Sequence, residues 1–209
     1  HKEYRRQRQM CIRDRSKGLV LDVAMGEGTN ATYLASKGFE VRGIDISDVA
    51  TERAKKLARD MGVALTVSRG DLDMHMFGLM EYDCILMQHF KPGISRYYSE
   101  MIRALKQGGT LLIESLMVRE MNEAIGKEES YKDFYFNSNE LLRELVPHLR
   151  VIYYHETKIE DRWMVQCLAE KPVDRDAAKY GLFDISSKQN QDTSKSSKQL
   201  ELAEKLFKK

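Results

Sequence analysis

Cysteine and proline are scarce in this chain, three of each in 209 residues, and there is a single tryptophan. Three scattered thiols cannot build the disulfide framework on which small secreted domains depend. Cys84 and Cys167 fall in apolar runs that read as strands, the usual setting of a small buried thiol, and a reducing cytoplasm is the expected home. No apolar run approaches the ~20 residues that cross a bilayer, and no stretch has the pattern of a secretory signal. His75 and His155 do not stand in a metal-ligand pattern, so no metal is expected. Net charge is also small, +2, but it is unevenly spread. Residues 1–17 carry seven basic and two acidic side chains, and residues 173–209 carry eight and six. The body between them, 18–172, has 19 basic against 24 acidic residues. An acidic body is a poor partner for nucleic acid, whose binding rests on neutralising phosphates, so none is expected.

What is present is a regular alternation of strand-like and helix-like segments, the pattern of a doubly wound α/β sheet. Strands are expected at 19–24, 40–45, 64–68, 82–87 and 110–116, with helices near 29–37, 49–61 and 95–106. Gly38 and Gly62 stop the first two helices and Ser47 caps the second, whose Ala50, Ala54, Leu57, Ala58 and Met61 repeat at helical spacing. Met74, Met76 and Met80 in the loop before the fourth strand read as core filler. Residues 117–138 are charged and aromatic without a period, a candidate substrate-facing insertion. A short helix at 139–146 ends before Pro147, and strands at 149–156 and 163–170 are joined by a hairpin over 158–161.

Three segments divide the chain. Residues 1–17 include Met10-Cys-Ile-Arg-Asp-Arg15, which reads as translated adapter sequence, so this stretch is expected to be non-native or a truncated end. Residues 18–172 form the domain, and 173–209 a polar tail, low in complexity over 186–198 and expected to be disordered, with a short amphipathic stretch at 199–209.

The informative residues lie in the first half. Leu21-Asp-Val-Ala-Met-Gly-Glu-Gly28 places two glycines between a buried strand and a helix, where a backbone without Cβ can turn sharply and approach a ligand. Asp45, seventeen residues after Gly28, ends the next strand, where a carboxylate can accept both ribose hydroxyls. The glycines alone also fit a dinucleotide. Asp22 inside the strand and Glu27 in the turn weigh against it, since both would repel a pyrophosphate and welcome a cationic ligand. Gly70-Asp71-Leu72 brings a further carboxylate to the same sheet edge, suited to an adenine amino group.

These segments, with Leu105-Lys-Gln-Gly-Gly109, resemble the ordered motifs of the class I methyltransferases that use S-adenosylmethionine; Gln107 stands where that family usually has Pro. The stretch from Gly26 to Ser47 is most similar to the bacterial tellurite-resistance and thiopurine-type enzymes, which act on small molecules. The resemblance implies a Rossmann-like seven-stranded sheet, mostly parallel with an antiparallel last strand. It also implies S-adenosyl-L-methionine as cofactor, held by Asp22, Gly26, Gly28, Asn30, Asp45, Ile46, Asp71, Leu72 and Gln88.

On the acceptor side the residues say less. Gln88-His89-Phe90 follows the fourth strand, and His89 is the candidate base or polar anchor, with a hydrated loop histidine as its plain alternative. Arg119 and Tyr135 are candidates for binding an anionic or aromatic substrate. The reading is methyl transfer to a small-molecule nucleophile by in-line displacement. A methyltransferase acting on RNA or protein, and a non-catalytic cofactor-binding module, stand as the alternatives.

Overall fold

The computed structural model describes residues 18–93, 96–118 and 134–173. Five strands and three helices come before the texture changes. These are β1 (Leu19–Val23), α1 (Thr29–Ser36), β2 (Glu40–Asp45), α2 (Asp48–Asp60), β3 (Thr66–Arg69), β4 (Tyr82–Gln88), α3 (Arg96–Ala104) and β5 (Leu105–Leu116). Helix α4 (Glu140–Leu145) and the hairpin of β6 (Arg150–Ile159) and β7 (Arg162–Glu170) follow. The seven strands form one sheet in the order β3-β2-β1-β4-β5-β7-β6. All ladders between β1 and β5 are parallel, and β7 runs antiparallel to both β5 and β6. The carboxyl ends of six strands and the start of β7 therefore share one edge. The reversal of strand order between β1 and β4 opens a crevice there, the place where open α/β sheets take ligands.

Both faces of the sheet are covered, which is why the central strands read as continuous apolar runs. Val20, Leu86, Leu112 and Leu168 pack with Ala31 and Leu34 of α1 on one face. Leu21, Ile85, Leu111 and Val165 pack with Tyr98 and Met101 of α3 and Leu141 and Leu145 of α4 on the other. Cys167 belongs to this second layer, and burial pushes its thiol up to about 12. A thiol so raised carries almost no thiolate at pH 8. Maleimide at pH 8 is therefore expected to leave Cys167 unmodified in the folded protein and to label it in denaturant, read by peptide mass. Labelling of the native thiol would contradict the burial.

Several boundaries differ from the sequence reading. Strand β3 starts at Thr66, not 64, and β5 begins at Leu105 because Leu105 pairs with Tyr82 across the Gly108 turn (φ 73°). The hairpin is tighter than 158–161. Glu160 and Asp161 alone form the turn, both at positive φ (46° and 65°), the two-residue geometry that matches strand twist. In α2 the buried stripe is Thr51, Ala54 and Ala58, so Ala50, Leu57 and Met61 are not its inner face. Ser47 caps that helix as expected, its Oγ accepting the Ala50 N–H at 3.3 Å. The methionine loop is corrected outright: Met74 and Met76 are 84% and 91% exposed, while Phe77, at 1%, fills the core position. Leu72, earlier in the same loop, packs partly against the core beside it. Cys84 is half-buried. Among the described residues no helix is long and apolar enough to cross a membrane, and no cluster of His, Cys, Asp or Glu could hold a metal ion. The segments 1–17 and 174–209, with the expectations placed on them, lie outside the described residues.

Candidate active site

The glycine turn is built from three left-handed backbones, Ala24 (φ 53°), Gly26 (57°) and Gly28 (76°). Met25 N–H donates to the Ile44 carbonyl (3.0 Å) and Gly28 N–H to the Met25 carbonyl (3.1 Å), closing the turn onto β2. Gly28 then precedes α1, accepting from the Thr32 N–H at 2.9 Å and the Thr32 hydroxyl at 2.8 Å. The two glycines serve different needs. A Cβ on Gly28 would lie 2.7 Å from the Ala54 Cβ, so its absence lets α1 and α2 touch. A Cβ on Gly26 would meet no heavy atom within 4 Å; it would enter open space above the turn.

Asp45 ties this turn to the end of β2. One carboxylate oxygen accepts the Gly26 N–H at 2.8 Å and the other accepts the Ser47 N–H at 2.9 Å. Each oxygen has a second lone pair, so the carboxylate can still accept two outside donors. Ile46 beside it is 63% exposed, an apolar side chain left facing outward at the edge. Gly70 N–H donates to the Asp45 carbonyl at 3.0 Å, which brings the third segment alongside. There Asp71 accepts the Asp73 N–H (2.9 Å) in a local turn, and Leu72 packs partly against the core. Tyr97 and Arg96 of α3 both bond Asp73, fastening this loop to the helix behind it. Asp22 is buried at 2% exposure, in register with Gly43 on β2 and Leu86 on β4. Asn30, in the first turn of α1, donates to the Gln88 side chain at the end of β4.

The structure thus brings Asp22, Gly26, Gly28, Asn30, Asp45, Ile46, Asp71, Leu72 and Gln88 to one edge. Glu27 behaves differently from its sequence reading: Arg53 of α2 pairs with it, so its charge is neutralised locally and argues nothing about the ligand.

His89 follows Gln88 with its backbone bent out of the strand (φ 52°) and its N–H on the Glu114 carbonyl at 2.8 Å. The residue is exposed on one side. The protein packed around the ring, and then the positive charge of Arg162, hold the imidazole below its usual range. Tyr135 reaches this edge through its carbonyl, which accepts from the Lys91 ammonium at 2.9 Å. Lys91 is also paired with Glu140 at 2.7 Å and lies over the Phe136 ring. Arg119 lies outside the described residues. Sequence reasoning missed Lys91, whose partner sits 49 positions away, and Arg162, hidden because the hairpin turn was placed too wide. A turn confined to Glu160-Asp161 would have put Arg162 at the first position of a strand on this edge.

Residues 20–109 match the family described as a methyltransferase domain. That stretch, somewhat under half of the chain, is therefore similar to a methyltransferase domain. The chain is 29% identical over 120 residues to the uncharacterized methyltransferase YodH of Bacillus subtilis, covering 56% of this chain and 50% of that protein. The chain thus spans about half the length of that relative. Among solved structures, a SAM-dependent methyltransferase from Methanosarcina mazei superposes with a TM-score of 0.64 at 20% identity, covering 77% of this chain and 95% of that one. TehB from Haemophilus influenzae superposes with a TM-score of 0.66 at 18% identity, covering 82% and 62%. At such identities the likeness is one of fold. A domain of this family implies S-adenosylmethionine as cofactor, and the residues present fit it. Open space stands above Gly26, a carboxylate with two spare lone pairs faces the edge at Asp45, an apolar side chain lies beside it, and the nearby acids suit a cationic ligand.

Proposed function

We propose that the protein transfers a methyl group from S-adenosylmethionine to a small-molecule nucleophile in the cytoplasm. The observation that carries the cofactor half of this reading is Asp45, whose two oxygens hold the glycine turn and the α2 cap at once and still face the edge. Asp45 would accept the ribose hydroxyls, Ile46 and Leu72 would cover the faces of the adenine, and Asp71 would accept its amino group. Asp22, Gly26, Gly28, Asn30 and Gln88 would line the methionine end. When bound, S-adenosylmethionine supplies a methyl carbon activated by a positive sulfur, so the chain's own task is to align a nucleophile with that carbon and exclude water. His89 would take the proton of an oxygen or nitrogen acceptor, while a thiolate or reduced chalcogen needs no base.

The small-molecule half rests on the acidic body and on the resemblance of the glycine segment to tellurite-resistance and thiopurine-type enzymes. The residues at the end of β4 and just after it, Gln88-His89-Phe90, also differ from the Asp/Asn-Pro-Pro-Tyr type of segment used on base amino groups. Calorimetric titration with S-adenosylhomocysteine tests the cofactor, and a labelled-methyl assay on thiol, amine and chalcogenide acceptors, beside protein and RNA, tests the class. Label in RNA or protein alone would overturn the small-molecule reading. With an acceptor that must lose a proton, the low imidazole pKa gives a definite pH dependence. The acid limb of the rate is therefore expected at a lower pH than an ordinary imidazole, of pKa ~6.5, would give. His89→Gln is expected to remove that lower limb; an unchanged profile would take the base role from His89.

A further inference from the structure

Among the described residues, the basic side chains near the carboxyl edge of the sheet are mostly paired with carboxylates. Arg53 is paired with Glu27, Arg69 with Asp48 (2.8 Å), Lys91 with Glu140 (2.7 Å) and Lys158 with Asp161 (2.8 Å). Arg96 contacts both Asp73 and Glu100 at 3.3 Å. Arg162 has no ion-pair partner among the described residues, although two acids, Glu160 and Asp161, immediately precede it. Its place is fixed by the sheet. Strand β7 enters between β5 and β6, Leu116 pairs with Met164, and Met117 N–H donates to the Trp163 carbonyl at 2.9 Å, so Arg162 stands at the rim just past the end of β5. By strand alternation it shares the α1 face with Gln166, which lies in register with Glu114 and, through it, with Gln88 at the end of β4.

We propose that Arg162 is the specificity residue of the acceptor site and selects a small acceptor bearing a carboxylate. This rests on the methyl-transfer reading and deepens it. An acidic body repels anions, so a lone exposed guanidinium at this rim is the local feature that can reverse the sign. Its planar fork of donors matches a carboxylate in two-point contact. The Lys91 ammonium cannot do this, being held by Glu140 and the Tyr135 carbonyl. A cationic cofactor in the adjoining crevice adds to the preference for a negative acceptor. That the charge of Arg162 reaches the His89 imidazole places it on the same side as the residue after β4.

The test uses the full chain saturated with S-adenosylhomocysteine and two probes, 4-mercaptobenzoate and 4-mercaptobenzamide, followed by calorimetry. The carboxylate is expected to bind about tenfold or more tightly than the amide, as a charge-assisted pair requires. Arg162→Gln should erase that preference, Arg162→Lys should restore part of it, and Lys158→Gln should leave it intact. In parallel, the imidazole signal of His89 is titrated by NMR. Its pKa should rise in Arg162→Gln, and rise in the unaltered protein when 4-mercaptobenzoate is added. Absence of a carboxylate preference, its persistence in Arg162→Gln, or equal loss in Lys158→Gln overturns the proposal. Failure of S-adenosylhomocysteine itself to bind is read in its own titration and overturns the methyl-transfer reading instead; the His89 titration on the free protein still decides whether Arg162 binds the carboxylate.

Discussion

Asp45→Ala is expected to weaken binding of S-adenosylhomocysteine by roughly 100-fold, on the order of 3 kcal/mol, since hydrogen bonds to a charged group are worth about 1.5–3 kcal/mol each. Two kinds of bond are lost together. The carboxylate surrenders the two lone pairs that face the edge, and it releases the Gly26 and Ser47 N–H groups that it holds at 2.8 and 2.9 Å. Released, the turn no longer presents its backbone in one geometry, so the loss exceeds that of the ribose contacts alone. Stability should suffer less, because Asp45 is only half-buried and the freed N–H groups can meet water; a decrease of about 1 kcal/mol is the scale for such bonds. Asp45→Asn keeps one acceptor oxygen and should fall between. Binding by Asp45→Ala at the strength of the unaltered protein would remove Asp45 from the site.

The second large effect separates the two glycines of the turn. Gly28→Ala must place a Cβ at φ 76°, 2.7 Å from the Ala54 Cβ and 3.3 Å from its Cα. The left-handed backbone costs about 1–2 kcal/mol, and forcing two packed helices apart adds about 1–3 kcal/mol. A destabilisation of about 2–5 kcal/mol follows, or a fall in Tm of roughly 5–20 °C for a chain of this length. Gly26→Ala should behave differently. It bears only the backbone strain, since nothing lies within 4 Å, but its methyl enters the space a ligand needs. The expected pattern is a large Tm shift with Gly28→Ala, and a small one with loss of ligand binding for Gly26→Ala. Ala54→Gly in the Gly28→Ala background should recover part of the stability, because it removes the atom in the way. Equal Tm shifts for the two glycine variants would refute the division of roles.

Much of this could be read from the residues because the governing forces are local. Strands β1, β2 and β4 are apolar runs bounded by glycine or acid, and Asp45, Asp71 and the glycines are where a buried strand must end and a chain must turn. The fold class follows from the alternation. Where the reading failed, long-range partners decide. The loop at 71–81 buries Phe77 in the core cluster shared with α3 and exposes Met74 and Met76, a choice that no periodicity reveals. Glu27 looked like a free acid until Arg53, 26 positions later, closed on it. The acceptor side is least legible for the same reason. His89 with Lys91, Tyr135 and Arg162 come from three separate segments, and only the sheet order brings those segments to one edge.

Strand β7, wedged antiparallel between β5 and β6, returns the late part of the chain to the edge that its first half has already built. The matched domain ends at residue 109, whereas Arg162 arrives on a two-residue turn far beyond it. Inheritance can therefore act on the two sides separately. If the edge works as proposed, a change of one or two residues at that turn would swap what it recognises, while the glycine turn and Asp45 would keep the same donor. Such a layout would let one scaffold acquire new acceptors by editing a hairpin tip.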